Sequence, residues 1–411
     1  NILGATLHSC QQGCAIPVGN TAEYIPLKQA VLRILQRYYR GKRAIVIDEF
    51  SMMKQRELYF LDRRLQEIMG NDLPFGGLLV ILTGDNAQFP PVGGRSLWDD
   101  SLGRTGNDEL GFIRYRQFLT NVVELERVER ITANSELAER FRELLDRLRT
   151  GDCTDADFEL LRERAQAYMT PEQWEQEFGE DSEVTRLYTT NREVAEENNR
   201  RIKLLDQPIA LVRAEQTGIA RSLSEEHFQN LPSKLYLCNG AVVMSIHNLC
   251  QQAGISNGSA GVVKEIVYDD GVSPPGLPKC VWVDFGAGYT GPSFFRPELV
   301  ERRGWVPIQP VTVTIRTPCS SSPSGYVESS KRMLPLRLSW AWTIWKFQGQ
   351  TVRSKLVVNL SNNERELGLT YITVGGSHFY QFGGLHVAVY VYNSQILYRI
   401  DIFSYSTPIF P

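Results

Sequence analysis

The feature that most constrains this chain is a pair of short, continuously apolar runs that each stop at an acidic residue. Ala44-Ile45-Val46-Ile47 runs into Asp48-Glu49, and Gly77 to Gly84 (GLLVILTG) runs into Asp85. Runs of Val, Ile and Leu without polar alternation mark strands buried on both faces of a parallel sheet. Between them, Gln55 to Ile68 places Leu58, Leu61, Leu65 and Ile68 on one side of a helix. Strand, helix, strand at this spacing is a βαβ unit, so residues 1–118 are expected to form an α/β domain with a parallel sheet.

The chain has 411 residues, enough for two or three domains at ~150 residues each. With 42% hydrophobic and 22% charged residues it is neither a disordered chain nor a collagen. No run of ~18 apolar residues occurs, so no transmembrane helix and no membrane partner are expected. The net charge of -3 excludes a small basic DNA-binding domain but allows a local nucleic-acid groove. The seven scattered cysteines read as reduced thiols.

Further on, Leu137 to Leu148 has the pattern of an amphipathic helix, and another is expected over Asp155 to Tyr168. Leu187 to Thr189 reads as a strand and Arg192 to Leu205 as a helix. From about Leu235, β-rich runs at Ala241–Ile246, Gly261–Tyr268, Cys280–Phe285 and Pro310–Ile315 alternate with turn residues, which suggests a small β-barrel insert. The Ser/Pro stretch Thr317 to Ser330 reads as a mobile loop. Trp340, Trp342 and Trp345 sit in one helix-like run. Arg33, Arg37, Arg40, Lys42 and Arg43 have mostly helical spacing, and read as a solvated helix face more readily than as a DNA track.

Two segments carry chemistry. A strand ending in Asp48-Glu49 sets two carboxylates at the carboxyl edge of a parallel sheet, where ligands bind in such folds. In nucleotide hydrolases such an Asp holds Mg²⁺ and the Glu takes a proton from water. The alternative is a strand that ends in acidic turn residues. The second segment, Thr83-Gly84-Asp85-Asn86-Ala87-Gln88-Phe89-Pro90-Pro91-Val92, also follows a strand, and Gln88 is suited to sensing a γ-phosphate or orienting water. Its alternative is a Pro-rich turn.

Together these residues resemble a family. Asp48-Glu49-Phe50-Ser51-Met52, Arg64-Leu65, Pro74-Phe75-Gly76-Gly77 and Gly84-Asp85…Gln88…Pro90-Pro91-Val92 resemble the petite-integration-frequency (PIF-type) and Helitron DNA helicases of superfamily 1B. Gly4-Ala5-Thr6-Leu7-His8-Ser9, Leu125 to Arg130, the helix Phe141 to Gly151, Thr190-Asn191 with Val194 and Asn198, and Leu336 to Thr351 resemble further motifs of that family.

The resemblance implies two RecA-like P-loop NTPase motor domains with a small β-barrel insert in the second. The expected boundaries are 1–118 for the first motor, 119–235 and 336–411 for the second, and 236–335 for the insert. It implies ATP and Mg²⁺ as cofactors and single-stranded DNA and DNA forks as partners, with 5′-to-3′ translocation by a monomer. Asp48 would hold Mg²⁺ and Glu49 would be the base. Gln88 and Arg130 would sense the γ-phosphate, and Asp85 and Gly349 would join them at the nucleotide. Thr6, His8, Ser9, Pro90, Pro91, Thr190, Asn191, Thr343, Trp345, Lys346 and Gln348 would face DNA; Phe89 offers a further stacking surface. Repair, recombination, telomere maintenance and transposition are all family roles. The nucleus or mitochondrion is the expected location in a eukaryote, and the cytoplasm otherwise.

The chain departs from the family pattern in two places. The phosphate-cradling Gly-x-x-x-x-Gly-Lys-(Ser/Thr) does not occur in it. Because the chain opens at Asn1 in an apolar, Gly-containing stretch, we expect that loop to precede it. Gly376 stands where the sixth motif has an arginine, and Trp345 and Phe347 replace the usual His and Ser of the fifth. These departures keep open a second reading, a helicase remnant that binds single-stranded DNA without hydrolysing ATP. A RecD-like motor is a third, disfavoured by Pro74-Phe75-Gly76-Gly77.

Overall fold

A computed structural model describes residues 7, 13–17, 23–125, 135–163, 165–179, 184–296, 298–318, 326–347, 355–359 and 387–390. The chain divides into two compact units. One is Asn1–Thr170 with Phe347–Arg353 and Leu360–Pro411, and the other is Pro171–Lys346 with Ser354–Asn359.

The expected βαβ unit is present in the first. Helix α1 (Gln29–Tyr39) turns at Gly41 into strand β1 (Ala44–Ile47), helix α2 (Gln55–Met69) crosses back, and β2 (Leu79–Leu82) pairs parallel to β1 with Ile47 opposite Leu82. At the start of α2, Glu57 accepts the Lys54 N–H at 2.9 Å, and Gly70 ends it in the left-handed region. Ile47, Leu58, Leu61, Leu65 and Phe75 share one core. The opposite face of the sheet is apolar as well, yet Val46, Leu79 and Ile81 are 61, 62 and 41% exposed. Its composition is that of a face meant to be covered.

The Pro74–Gly77 turn is fixed by α2. Asp62, fully buried, accepts the Phe75 N–H at 2.6 Å and, from α3 (Gly106–Phe118), the Arg114 Nε–H at 2.7 Å. Phe75 and Gly76 have positive φ, and a Cβ on Gly76 would lie 2.5 Å from the Leu65 carbonyl oxygen. Buried Arg64 donates to Glu67 at 2.7 Å and to the Ile25 carbonyl at 2.9 Å, while Glu67 accepts the Leu27 N–H at 2.8 Å. The signature residues of this stretch thus dock the chain onto α2.

Helix α4 (Glu136–Thr150) starts at Ser135, whose hydroxyl accepts the Ala138 N–H, and ends at Gly151 in the left-handed region. Helix α5 (Asp155–Glu163) is shorter than expected, with a separate 3-10 turn at Gln166–Tyr168. Arg147 grips Asp157 through two hydrogen bonds of 2.8 Å, tying α4 to α5.

In the second unit α6 (Pro171–Phe178) precedes β3 (Val184–Tyr188) and α7 (Asn191–Leu204). The strands β4 (Ala210–Arg213), β5 (Glu215–Gln216), β6 (Lys234–Leu237), β7 (Val242–Ser245), β8 (Ala260–Val267), β9 (Cys280–Asp284), β10 (Trp305–Ile308), β11 (Val311–Pro318), β12 (Tyr326–Met333), β13 (Leu336–Leu338), β14 (Ala341–Thr343) and β15 (Lys355–Asn359) follow. Strands β14 and β15 both pair parallel to β3, one on each side.

Three expectations are corrected here. The β-rich insert forms an open sheet ordered β10-β9-β8-β7-β13, a sheet β11-β12-β5 and the pair β4-β6, and no barrel closes among the described residues. Pro307 lies in edge strand β10, where it has no N–H to offer a further neighbour, and after Pro310 the chain starts a new sheet. The loop expected over Thr317 to Ser330 is flanked by ladder: Pro318 pairs with Tyr326 and Thr317 with Val327, while 319–325 lie outside the described residues. Ser/Pro composition concealed this strand because its inward positions are polar. Buried Ser329 accepts the Ile219 N–H at 3.0 Å, and buried Lys331 donates to Ser233 at 3.1 Å. Nor do the tryptophans share a helix: Trp342 is buried in β14, donating to Ser339, and Trp345 lies in the single turn Ile344–Phe347.

Three outcomes follow for stability. Gly70→Ala, in open space, should cost about 1 kcal/mol through its positive φ alone. Gly76→Ala should cost about 3 kcal/mol in urea unfolding, because strain and clash add. Hydrogen bonds from Arg147, supported by Thr154, hold the Asp157 carboxyl at about 2, below its ordinary 3.8. Its contribution is therefore complete above the ordinary value and lost as pH falls through about 2. Asp157→Asn should remove that component from a stability–pH profile.

Candidate functional site

The carboxyl ends of β1 and β2 bring the acidic segments together. Register decides this: Ile47 opposite Leu82 sets Asp48 beside Thr83. Thr83 Oγ1–H donates to Asp48 Oδ1 at 2.8 Å, and the Glu49 N–H donates to the same oxygen at 3.0 Å. The backbones are stitched as well, Thr83 N–H to the Ile47 carbonyl at 2.8 Å and Phe50 N–H to the Thr83 carbonyl at 3.1 Å. Gly84 permits this approach: a Cβ there would meet the Phe50 nitrogen at 3.0 Å and Glu49 Cα at 3.3 Å. Glu49 itself has φ 55°, a left-handed conformation that turns the chain off the strand.

Asp48 is exposed, and both of its hydrogen bonds fall on Oδ1, so Oδ2 has no partner among the described residues. A single hard carboxylate oxygen at a strand end suits Mg²⁺, which keeps most of its water and takes the rest from phosphates. Among the described residues no group of three or more His, Cys, Asp or Glu is placed to hold a metal.

Asp85 closes the next turn. Its Oδ1 accepts the Ala87 N–H at 3.0 Å and the Arg149 Nε–H at 3.2 Å, and its carbonyl accepts the Gln88 N–H at 3.2 Å. Gln88 is half-buried beside it. Phe89 is 1% exposed, so it belongs to the interior and is not a stacking surface; Pro91 is buried and Pro90 half-buried.

In the second unit, Thr190 caps α7. Its hydroxyl accepts the Glu193 N–H at 3.2 Å, and Glu193 accepts the Thr190 N–H at 3.1 Å. Thr190 and Asn191 are both exposed. Asn198 reads the backbone of β14 as a strand would, accepting the Ala341 N–H at 3.0 Å and donating to the Ala341 carbonyl at 3.1 Å. Thr343, Trp345 and Lys346 are half-buried together at the end of β14. Burial, and then the charge of Arg337, push the Lys346 ammonium down from its ordinary value. Thr6, His8, Ser9, Arg130, Gln348, Gly349 and Gly376 lie outside the described residues.

Two residues were missed from sequence. Thr83 was legible in principle, since parallel register alone sets it against Asp48. Arg149 had no signal, because its partner Asp85 is far away in sequence.

Residues 1–159 match the model of the PIF1-like helicase family. The chain is 28% identical over 290 residues to uncharacterized protein 030L of Invertebrate iridescent virus 6, covering 63% of this chain and 51% of that protein. It is 25% identical over 378 residues to the ATP-dependent DNA helicase Pif1 of Psychrobacter, covering 83% and 53%. The chain thus spans about half the length of these curated relatives. Among solved structures, Pif1 helicase from Candida albicans matches at TM-score 0.66 and 23% identity, over 95% of this chain and 81% of that one. Bacteroides Pif1 bound to single-stranded DNA matches at TM-score 0.65 and 22% identity, over 96% and 80%. The two units thus carry the RecA-like fold of these neighbours, and residues 1–159 are similar to the PIF1-like helicase family.

Proposed function

We propose that this chain is the motor portion of an ATP-dependent DNA helicase that moves 5′ to 3′ on single-stranded DNA and opens forks. The observation that carries the reading is the Asp48–Thr83 pairing at adjacent parallel strand ends, inside the stretch that matches the family model. Solved relatives hold single-stranded DNA and act at forked duplex, which supports DNA as the partner. The motor boundaries are those drawn from the sequence, 1–118 and 119–235 with 336–411, flanking the insert 236–335. Eukaryotic and bacterial relatives alike fit work in a DNA-containing compartment.

In this reading Asp48 Oδ2 holds Mg²⁺, either directly or through water, while Thr83 and the Glu49 N–H fix its other oxygen. The bound ion would neutralise phosphate charge. Glu49 takes the proton of the attacking water, and Gln88 orients that water. Arg130 and Gly349 complete the nucleotide contacts. Thr6, His8, Ser9, Thr190, Asn191, Thr343, Lys346 and Gln348 donate to DNA phosphates, with half-buried Pro90 and Trp345 beside the bases; Pro91, buried like Phe89, is not a DNA contact.

A second reading, DNA binding without turnover, is favoured by Gly376 in the sixth-motif arginine position. ATP hydrolysis by the full-length protein, with and without oligo-dT, separates the two. Glu49→Gln should lower turnover by at least about 100-fold and leave oligo-dT binding intact. A wild type that binds oligo-dT yet never turns over establishes the second reading. Thr83→Val should raise the Mg²⁺ concentration for half-maximal turnover by about 10-fold, and Thr83→Ser should restore it.

A further inference from the structure

Helix α1 carries a concentration of positive charge that nothing among the described residues balances. From Tyr24 to Ile47 there is no Asp or Glu, while Lys28, Arg33, Arg37, Arg40, Lys42 and Arg43 all fall in that interval. All six are exposed, and none makes an ion pair among the described residues. Several other arginines of the same unit are matched: Arg56 with Asp108, Arg114 with Asp62, Arg147 with Asp157, Arg149 with Asp85. The net charge of the whole chain is -3, so the patch is local and does not follow from composition.

The helix geometry aligns these charges. Leu35 and Tyr39 are buried, and Val31, Leu32 and Tyr38 pack against the same core. At about 100° per residue, Arg33, Arg37 and Arg40 then fall within about 60° of one another on the opposite face. Lys42, past the Gly41 turn, sits 4.2 Å from the Tyr38 ring, to the side of this stripe. Arg33 and Arg37 are i,i+4 like-charge neighbours, an arrangement that weakens a helix. The helix dipole accounts for Arg37 and Arg40 near the carboxyl end, but it disfavours Lys28, which occupies the N-cap position.

We infer that this face of α1 is a docking surface for a nucleic-acid phosphate backbone, separate from the residues assigned to DNA above. The inference rests on the DNA-acting reading. An array of unpaired guanidinium groups on a rigid helix fits regularly spaced phosphates and carries no base readout, so it would add affinity without sequence preference.

The test is equilibrium binding by fluorescence anisotropy across a salt series. The probes are labelled oligo-dT and a labelled duplex of equal length. The proteins are the wild type, the triple variant Arg33→Gln, Arg37→Gln, Arg40→Gln, and the charge-retaining triple Arg→Lys variant. Gln, Lys and Arg have similar helix propensity, so all three proteins should fold alike, which far-UV circular dichroism checks. The Gln variant should lower the slope of log K against log salt by about 2 on single strands, or by somewhat more on duplex, and the Lys variant should keep the wild-type slope. The probe on which the slope drops identifies the backbone that is bound. A wild type that binds with an unchanged slope in the Gln variant on both probes overturns the α1 surface alone. Loss of slope in the Lys variant too overturns it in favour of a structural role. A wild type that binds neither probe overturns both this surface and the helicase reading.

Discussion

The hydrogen bond between Thr83 and Asp48 depends on one thing, the parallel pairing of β1 with β2, and much of the first unit serves to hold that pairing. A shift of the register by one residue would turn Val46 and Ile81 inward and Ile47 out. It would also part the hydroxyl from the carboxylate. The register is fixed from below by the apolar contacts of α2 and from above by the stitching of Phe50 to Thr83 across Gly84.

The turn that feeds β2 explains several residues that otherwise look like mere sequence signature. Phe75 and Gly76 take left-handed conformations because the loop must pass over α2 at the Leu65 carbonyl, where no side chain fits on Gly76. Asp62 supports that course from inside the helix, and Arg114 balances the charge it buries. Arg64 and Glu67 perform the same docking for the segment that leads into α1. The acidic residues at the strand ends and the residues that hold the β2 turn are therefore different sets, linked by β2.

The second unit follows a comparable logic with a different device. Asn198 on α7 satisfies both backbone groups of Ala341, so the helix is locked to the strand that ends in Thr343. The capping box at Thr190 starts that helix at a defined point. The β-rich insert keeps its own core, in which Lys331 is tolerated because Ser233 and the Leu231 carbonyl receive its ammonium.

By itself the sequence determined the βαβ unit, the helices over 137–148 and 192–205, and the strands at the start of the insert. These depend on apolar periodicity, which local composition records. It also determined which acidic segments end the paired strands, because strand ends are legible wherever apolar runs stop. Only the tertiary structure decided that the insert stays open, that the Ser/Pro stretch is flanked by a ladder, and that Phe89 is interior. The first two depend on partners distant in the chain: β5 beside β12, Ile219 on Ser329. The cationic residues before β1 were visible as a run, but periodicity alone could not say whether they were paired. That was decided by which side of α1 the core took, and by the absence, among the described residues, of an acid placed to meet them.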